Sequence, residues 1–425
     1  MGKNSKRKRK IKNDKGEIKK MKIKNELKNK KGITLIALVI TIIVLLILAG
    51  VTIATLTGQN GILTRANDAK TETEQAEEDE LRKLTQVEAA TYLKEHEYTD
   101  VSGEKVTIPA QCAVSQVEGE NTLEDGLVII DKNGNEWVWI EVPKSIYENE
   151  EYYTNGATNP TSSEDYTNIE KIMQNYATKY RGSYTDEWYS KAQHGFASAD
   201  EYNNHKNAML KSVYENGGFY IGKYEVGIGE DTYRNYGTKY TTKHPIDETP
   251  VIQQDKYVYN WVRCSQAQEL SESLAVGGKT SSLMFGIQWD LVLAYLEANG
   301  VSENDLKVNS GSWGNYSNEA FDITRGKYST DNGANYTTVN GTYPKPASRV
   351  LLTTGATVRN SKMNIYDLAG NVWEWTLEKS TNTSSPCANR GGFCSIDGSD
   401  YPASTRFGTS TSYSSSNMGF RPALY

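Results

Sequence analysis

The sequence predicts an α+β domain with little regular structure, set behind one long apolar helix. Three observations predict it. Residues 33–57 carry no charged side chain, and about 20 apolar residues are enough to span a bilayer as a helix. Residues 126–143, GLVIIDKNGNEWVWIEVP, place two β-branched or aromatic runs around Asn133-Gly134, and Asn-Gly supplies the positive φ angles of a tight hairpin. Beyond it, short strand-like and helix-like runs alternate with Gly and Asn, and no internal repeat appears.

The long helix has a marked charge boundary. Residues 1–32 hold 15 Lys/Arg against three acidic side chains, whereas the whole chain has a formal net charge of −6. The remainder is therefore near −18. An acidic body argues against a nucleic-acid partner, which needs phosphate-neutralising cations. A basic block directly before an apolar run instead predicts a cytoplasmic N-terminus and an exported, single-pass body outside the cell membrane. No A-x-A-like cleavage site follows the run; Lys30-Lys31-Gly32 precede it. This arrangement resembles the type IV prepilin leader. The resemblance implies cleavage by a prepilin peptidase between Gly32 and Ile33, methylation of the new N-terminus, and an apolar helix that packs among pilin-like subunits. That family usually has Glu at the fifth mature position, where this chain has Ala37. An anchored pseudopilin-like protein fits better than a major pilin.

The expected organisation follows. Residues 1–32 form the leader, 33–57 the transmembrane helix, and 58–100 a helical stalk rich in Ala, Glu and Lys. The body runs from 101 to 425. Within it, 145–215 is a polar, Tyr-rich helical insertion, with helices near NIEKIMQNYATKY and ADEYNNHKNAMLKSVYENGG, the second ended by Gly217-Gly218. FYIGKYEVGIG reads as a strand and KYVYNWVRCSQAQELSESLA as a strand entering a helix. SLMFGIQWDLVLAYLEANG reads as an amphipathic helix closed by Gly300.

The motif NIYDLAGNVWEWT, residues 364–376, is followed by NRGGF and a terminal GFRPAL. With the preceding FYIGKYEV and SSLMFGIQWDLVLAYLE runs, it resembles the formylglycine-generating enzyme, or sulfatase-modifying factor, family over roughly 125–425. The resemblance implies a C-type-lectin-like fold. It also implies Ca²⁺ at the Gly-Asn-x-Trp-Glu-Trp turn, held by the side chains of Asp367 and Glu374 and the carbonyls of Gly370 and Val372. Hard oxygen donors on a tight turn suit that ion.

Oxidases of that family need two cysteines after the Arg-Gly-Gly. Here Cys394 follows Arg390-Gly391-Gly392 alone, and SIDGSDYPAS contains no second thiol. Cys394 is therefore a weak catalytic candidate, and the family's copper chemistry is not expected. Outside the cell, Cys387 and Cys394 are free to pair or to remain thiols. Arg390 and Arg421 read as structural ion-pair or carbonyl-binding residues.

The tail after Cys394 is dominated by Ser, Thr, Tyr, Asp, Asn and Gly, and the chain has 28 Tyr against 7 Phe. Short hydrogen-bonding side chains with rigid amphipathic Tyr make adaptable contact surfaces. Residues 389–425 would form the ligand face, with Ser395, Asp397, Ser399, Asp400, Phe407, Thr409, Tyr413 and Ser415 as contact positions. The layout also resembles the variable proteins of diversity-generating retroelements, which diversify codons near the C-terminus. The expected function is surface display of a non-catalytic binding domain for a glycan or protein ligand. A sulfatase-modifying oxidase and a structural minor pilin are the alternatives.

Overall fold

The computed structural model describes residues 38–43, 45–46, 62–235 and 245–425. The chain divides into two compact units, Met1–Gln75 and Ala76–Tyr425. In the first, residues 38–43 and 45–46 are helical and their apolar side chains stay exposed, Leu46 at 67%. Most of the expected span at 33–57, and the processing residues Gly32 and Ile33, lie outside the described residues. Among the described residues no helix is long and apolar enough to cross a membrane.

Helix α1, Ile62–Ala89, covers much of the expected stalk. From Arg82 onward it belongs to the body, because Arg82 meets Glu120 at 3.1 Å and Glu136 at 3.2 Å. Lys223, fully buried, joins the same two carboxylates. The second unit runs from Ala76 to Tyr425. Strands β1 (His96–Thr99) and β2 (Lys105–Ile108) then pair antiparallel.

The principal sheet is built from β3 (Cys112–Val114), β4 (Val128–Asp131), β5 (Glu136–Glu141), β6 (Gly218–Gly222), β7 (Ser281–Leu283) and the terminal strand, Pro422–Leu424. The last strand enters the sheet between β6 and β7, so the C-terminus is tied into the core. The β4–β5 hairpin forms where the sequence places it, with a loop of residues 132–135. Gly134 takes φ +81°, and the Asp131 carboxylate accepts the Asn133 and Asn135 amides at 2.8 and 3.0 Å. Trp137 is fully buried and Trp139 nearly so.

Helices α2 (Tyr166–Tyr176), α3 (Lys191–His194) and α4 (Ala199–Asn216) occupy the insertion. Gly217 ends α4 in the left-handed region at φ +76°, as a C-terminal glycine should. Two expectations change. KYVYN forms no strand; Val258 only bridges Gly227, and the chain then enters α5, Cys264–Glu272. The helix α6, Gly286–Ala298, is buried on most sides rather than amphipathic. Its polar Asp290 mimics a solvent face in the sequence but is an internal ion-pair hub.

A second sheet carries the motif region: β8 (Trp373–Lys379), β9 (Cys387–Arg390), β10 (Arg406–Thr409) and β11 (Met418–Phe420), in the order β10-β9-β8-β11. The β8–β11 pair is parallel and the others are antiparallel. β12 is the Pro422–Leu424 strand of the principal sheet. The short Phe420-to-Pro422 step thus links the two sheets, with Arg421 at the joint.

Candidate functional site

The Asp367–Glu374 turn is fixed by unusual backbone angles. Asp367, Gly370 and Asn371 have φ of 56°, 79° and 57°. A Cβ on Gly370 would meet the Asn315 carbonyl oxygen at 2.3 Å, so only glycine fits there. The Asn371 amide bonds Glu225, accepts the Asn315 amide at 2.9 Å and accepts the Leu352 N–H at 3.0 Å. The Gly370 N–H donates to Gly391 and the Cys394 N–H to Asn371. The two motifs are thereby locked together.

The expected calcium side chains already have partners. Asp367 accepts the Gly355 N–H at 2.8 Å. Glu374 makes a two-point pair with Arg421, at 3.1 and 2.7 Å. Arg421 also donates to the carbonyls of Gly222 and Tyr366. Glu225 is a third buried carboxylate here; its Oε2 has no hydrogen-bond partner. Burial pushes the Asp367 carboxyl up to about 6. Burial, and then Asp367 and Glu374, push Glu225 well above the usual range. Among the described residues no cluster of three or more His, Cys, Asp or Glu is arranged to hold a metal ion.

Arg390 and Arg421 fulfil the structural role read from the sequence. Arg390 meets Glu378 at 3.1 Å and Asp290 at 3.0 Å, all three with fully buried side chains. Arg406 joins the same carboxylates, and Arg181 adds a bond to Asp290 at 2.7 Å. Burial of such charges is tolerated only when they are paired this completely.

Cys394 is 3% exposed and lies against Val258, Leu351 and Val372. Burial pushes its thiol up to about 11, so the reactive thiolate is disfavoured. All four cysteines are free. Cys387 and Cys394 lie in different core clusters, and the Cys387 thiol hydrogen-bonds that of Cys264. No second thiol completes a copper site at Cys394, and the nearby Lys345 and Arg349 are cationic. The residues present do not fit copper.

The tail wraps two adjoining clefts. One, of about 510 Å³, is lined by Trp373, Asn389, Tyr401, Phe407, Thr409 and Tyr413 among others. The other, of about 500 Å³, includes Arg349, Cys394, Ser395 and Ser415. Phe393 and Asn417 line both. The aromatic floor of the first is continuous: Trp373 stacks on Phe407 at 5.9 Å and 26°, and meets Tyr401 edge-on at 5.5 Å. Phe407 and Tyr413 remain 47% and 41% exposed.

Five of the eight expected contact positions thus line a cleft: Ser395, Phe407, Thr409, Tyr413 and Ser415. Asp397, Ser399 and Asp400 line neither. Asp397 accepts the Ser317 hydroxyl and its carbonyl caps a turn at Asp400 and Tyr401. Sequence reasoning missed Trp373 as a cleft floor; Asn389 and Tyr401 fall within the 389–425 segment but were not among the named contact positions. The one available signal was the position of Asn389 directly before Arg390-Gly391-Gly392.

The model of the sulfatase-modifying factor enzyme 1-like domain matches residues 191–424. Among solved structures, variable protein 1 of Treponema denticola is similar at 13% identity and a TM-score of 0.23, covering 77% of this chain and 98% of that chain. No curated protein matches.

Proposed function

We infer the function from one premise: this chain belongs to the sulfatase-modifying factor enzyme 1-like domain family. We propose that it is a non-catalytic binding member of that family. The carrying observation is the contrast at Cys394. The sole thiol after Arg390-Gly391-Gly392 is buried and held protonated, while the residues after it line two open clefts. Large, partly exposed aromatic side chains with convergent polar groups are how such clefts hold ligands.

The proposal includes display at the cell surface. The apolar run at 33–57 and its basic flank would anchor the chain, after prepilin-peptidase cleavage between Gly32 and Ile33, with the body outside. Diversification of the tail, as in retroelement variable proteins, and incorporation among pilin-like subunits extend the same proposal. Ca²⁺ at the Asp367 turn is also proposed. Glu374 pairs with Arg421, the buried Asp367 and Glu225 lie near it, and Glu225 Oε2 has no hydrogen-bond partner. Asp367, Glu374 and the carbonyls of Gly370 and Val372 would hold the ion, whose charge would favour the ionised carboxylates there.

The test uses the full chain with copper and a Cys-containing sulfatase peptide. The peptide mass is expected to stay unchanged; formylglycine formation that disappears in Cys394→Ala contradicts the proposal.

A further inference from the structure

The two clefts differ in charge. Arg349 and Asp331 line the cleft that holds Cys394. The Trp373 cleft is lined by no Asp, Glu, Lys or Arg. Its wall is hydroxyl and amide: Ser385, Asn389, Thr409, Ser410 and Asn417. Its floor is aromatic, and the Trp373 and Phe407 rings are inclined by only 26°.

Two wall groups have unmet capacity. Asn389 is 1% exposed. Its amide nitrogen donates to Thr409 Oγ1 at 2.7 Å, but its Oδ1 has no partner. Asn417 Oδ1 also has none. Both oxygens are closed off from solvent, so the groups a ligand can meet are the hydroxyl and amide side chains that line the wall. A ligand with hydroxyls beside an apolar face matches that wall and floor. A charged ligand would find no counter-ion here and would lose hydration.

We propose that the Trp373 cleft receives an uncharged carbohydrate residue. A pyranose ring presents a C–H face that packs on a flat aromatic floor, and it carries hydroxyls around its rim for the Ser, Thr and Asn wall. An aliphatic or aromatic peptide side chain would cover the floor but leave the hydroxyl and amide wall unmatched. The assignment rests on the binding role proposed above and names its ligand class. Arg349, in the adjoining cleft, plays no part in it.

The experiment is a titration of the full chain, in detergent micelles, against uncharged oligomers of glucose, galactose and N-acetylglucosamine. Sialylated oligosaccharides and an uncharged aromatic peptide serve as comparison probes. Phe407→Ala and Tyr413→Ala remove exposed rings without opening the core. Each is expected to weaken binding of a neutral oligosaccharide about tenfold, the equivalent of roughly 1.4 kcal/mol. Arg349→Ala is expected to leave it unchanged, as is raising salt from about 0.05 to about 0.5 M. Preference for the sialylated or peptide probe, or loss in Arg349→Ala with none in Phe407→Ala, overturns the carbohydrate assignment and leaves the binding role standing. Failure of every probe to bind overturns both.

Discussion

Two neighbouring stretches of the last sixty or so residues behave in opposite ways. The frame, Asp367–Glu378 and Cys387–Arg390 with Arg421, is buried, and its charges are paired: Glu374 with Arg421, Glu378 and Asp290 with Arg390. The segment from Ser395 to Asn417 crosses the surface with small hydroxyl side chains and two half-exposed rings. In the frame the buried charges are matched. Contact chemistry lies where side chains still have freedom or unmet bonds. The difference teaches that the family motifs here maintain geometry, and that the polar tail between them is free to serve a ligand.

The sharpest break in that comparison comes at Arg421. Arg421→Met strands Glu374 in the core and removes bonds to Gly222 and Tyr366. It should cost about 3–5 kcal/mol in denaturant unfolding; a loss below about 1 kcal/mol would show that the frame is not held by this pair. Gly370→Ala comes next. It forces a side chain into φ 79° and onto the Asn315 backbone, for a loss on the order of 1–3 kcal/mol; the midpoint of unfolding reads it out.

A third difference depends on pH. The Asp367 carboxyl, pushed up to about 6 from 3.8 by burial, keeps a proton in the folded state that the unfolded chain releases. Its contribution is therefore fully present below about 4 and declines as pH rises through about 6. Asp367→Asn should give a flatter stability profile across that window. A slope equal to the parent's removes Asp367 as its source.

The smallest stability effects belong to the tail. Phe407→Ala and Tyr413→Ala should shift stability by no more than about 0.5 kcal/mol. Ser399→Ala should change neither stability nor binding, because Ser399 is exposed and lines neither cleft. Thermal unfolding beside ligand titration separates these classes.

Much of the frame was legible in the sequence because its causes are local. Asn133-Gly134 demands a turn, Gly217 ends a helix, and Arg390 and Arg421 stand in motifs that need buried partners. What escaped was set by distant contacts. Asp290 looks like the polar face of an amphipathic helix until Arg181, Arg390 and Arg406 converge on it. Cys387 sits near Cys394 in sequence but beside Cys264 in space. Among the tail residues, composition pointed to a contact surface, yet only the fold shows that Asp397 is used in a turn while Phe407 is turned toward a cleft. Trp373 is nearly buried at 6% exposure; its role as floor depends on Tyr401 and Phe407 arriving from another strand and loop.

The central claim is that the tail is a contact surface carried on a self-sufficient frame. One variant tests it most directly, with Ser395, Phe407, Thr409, Tyr413 and Ser415 all changed to Ala, measured for unfolding temperature and for binding to a panel of neutral oligosaccharides and surface proteins. The account predicts an unfolding temperature within a few degrees of the parent and loss of binding. Retained binding, or collapse of the fold, would contradict it.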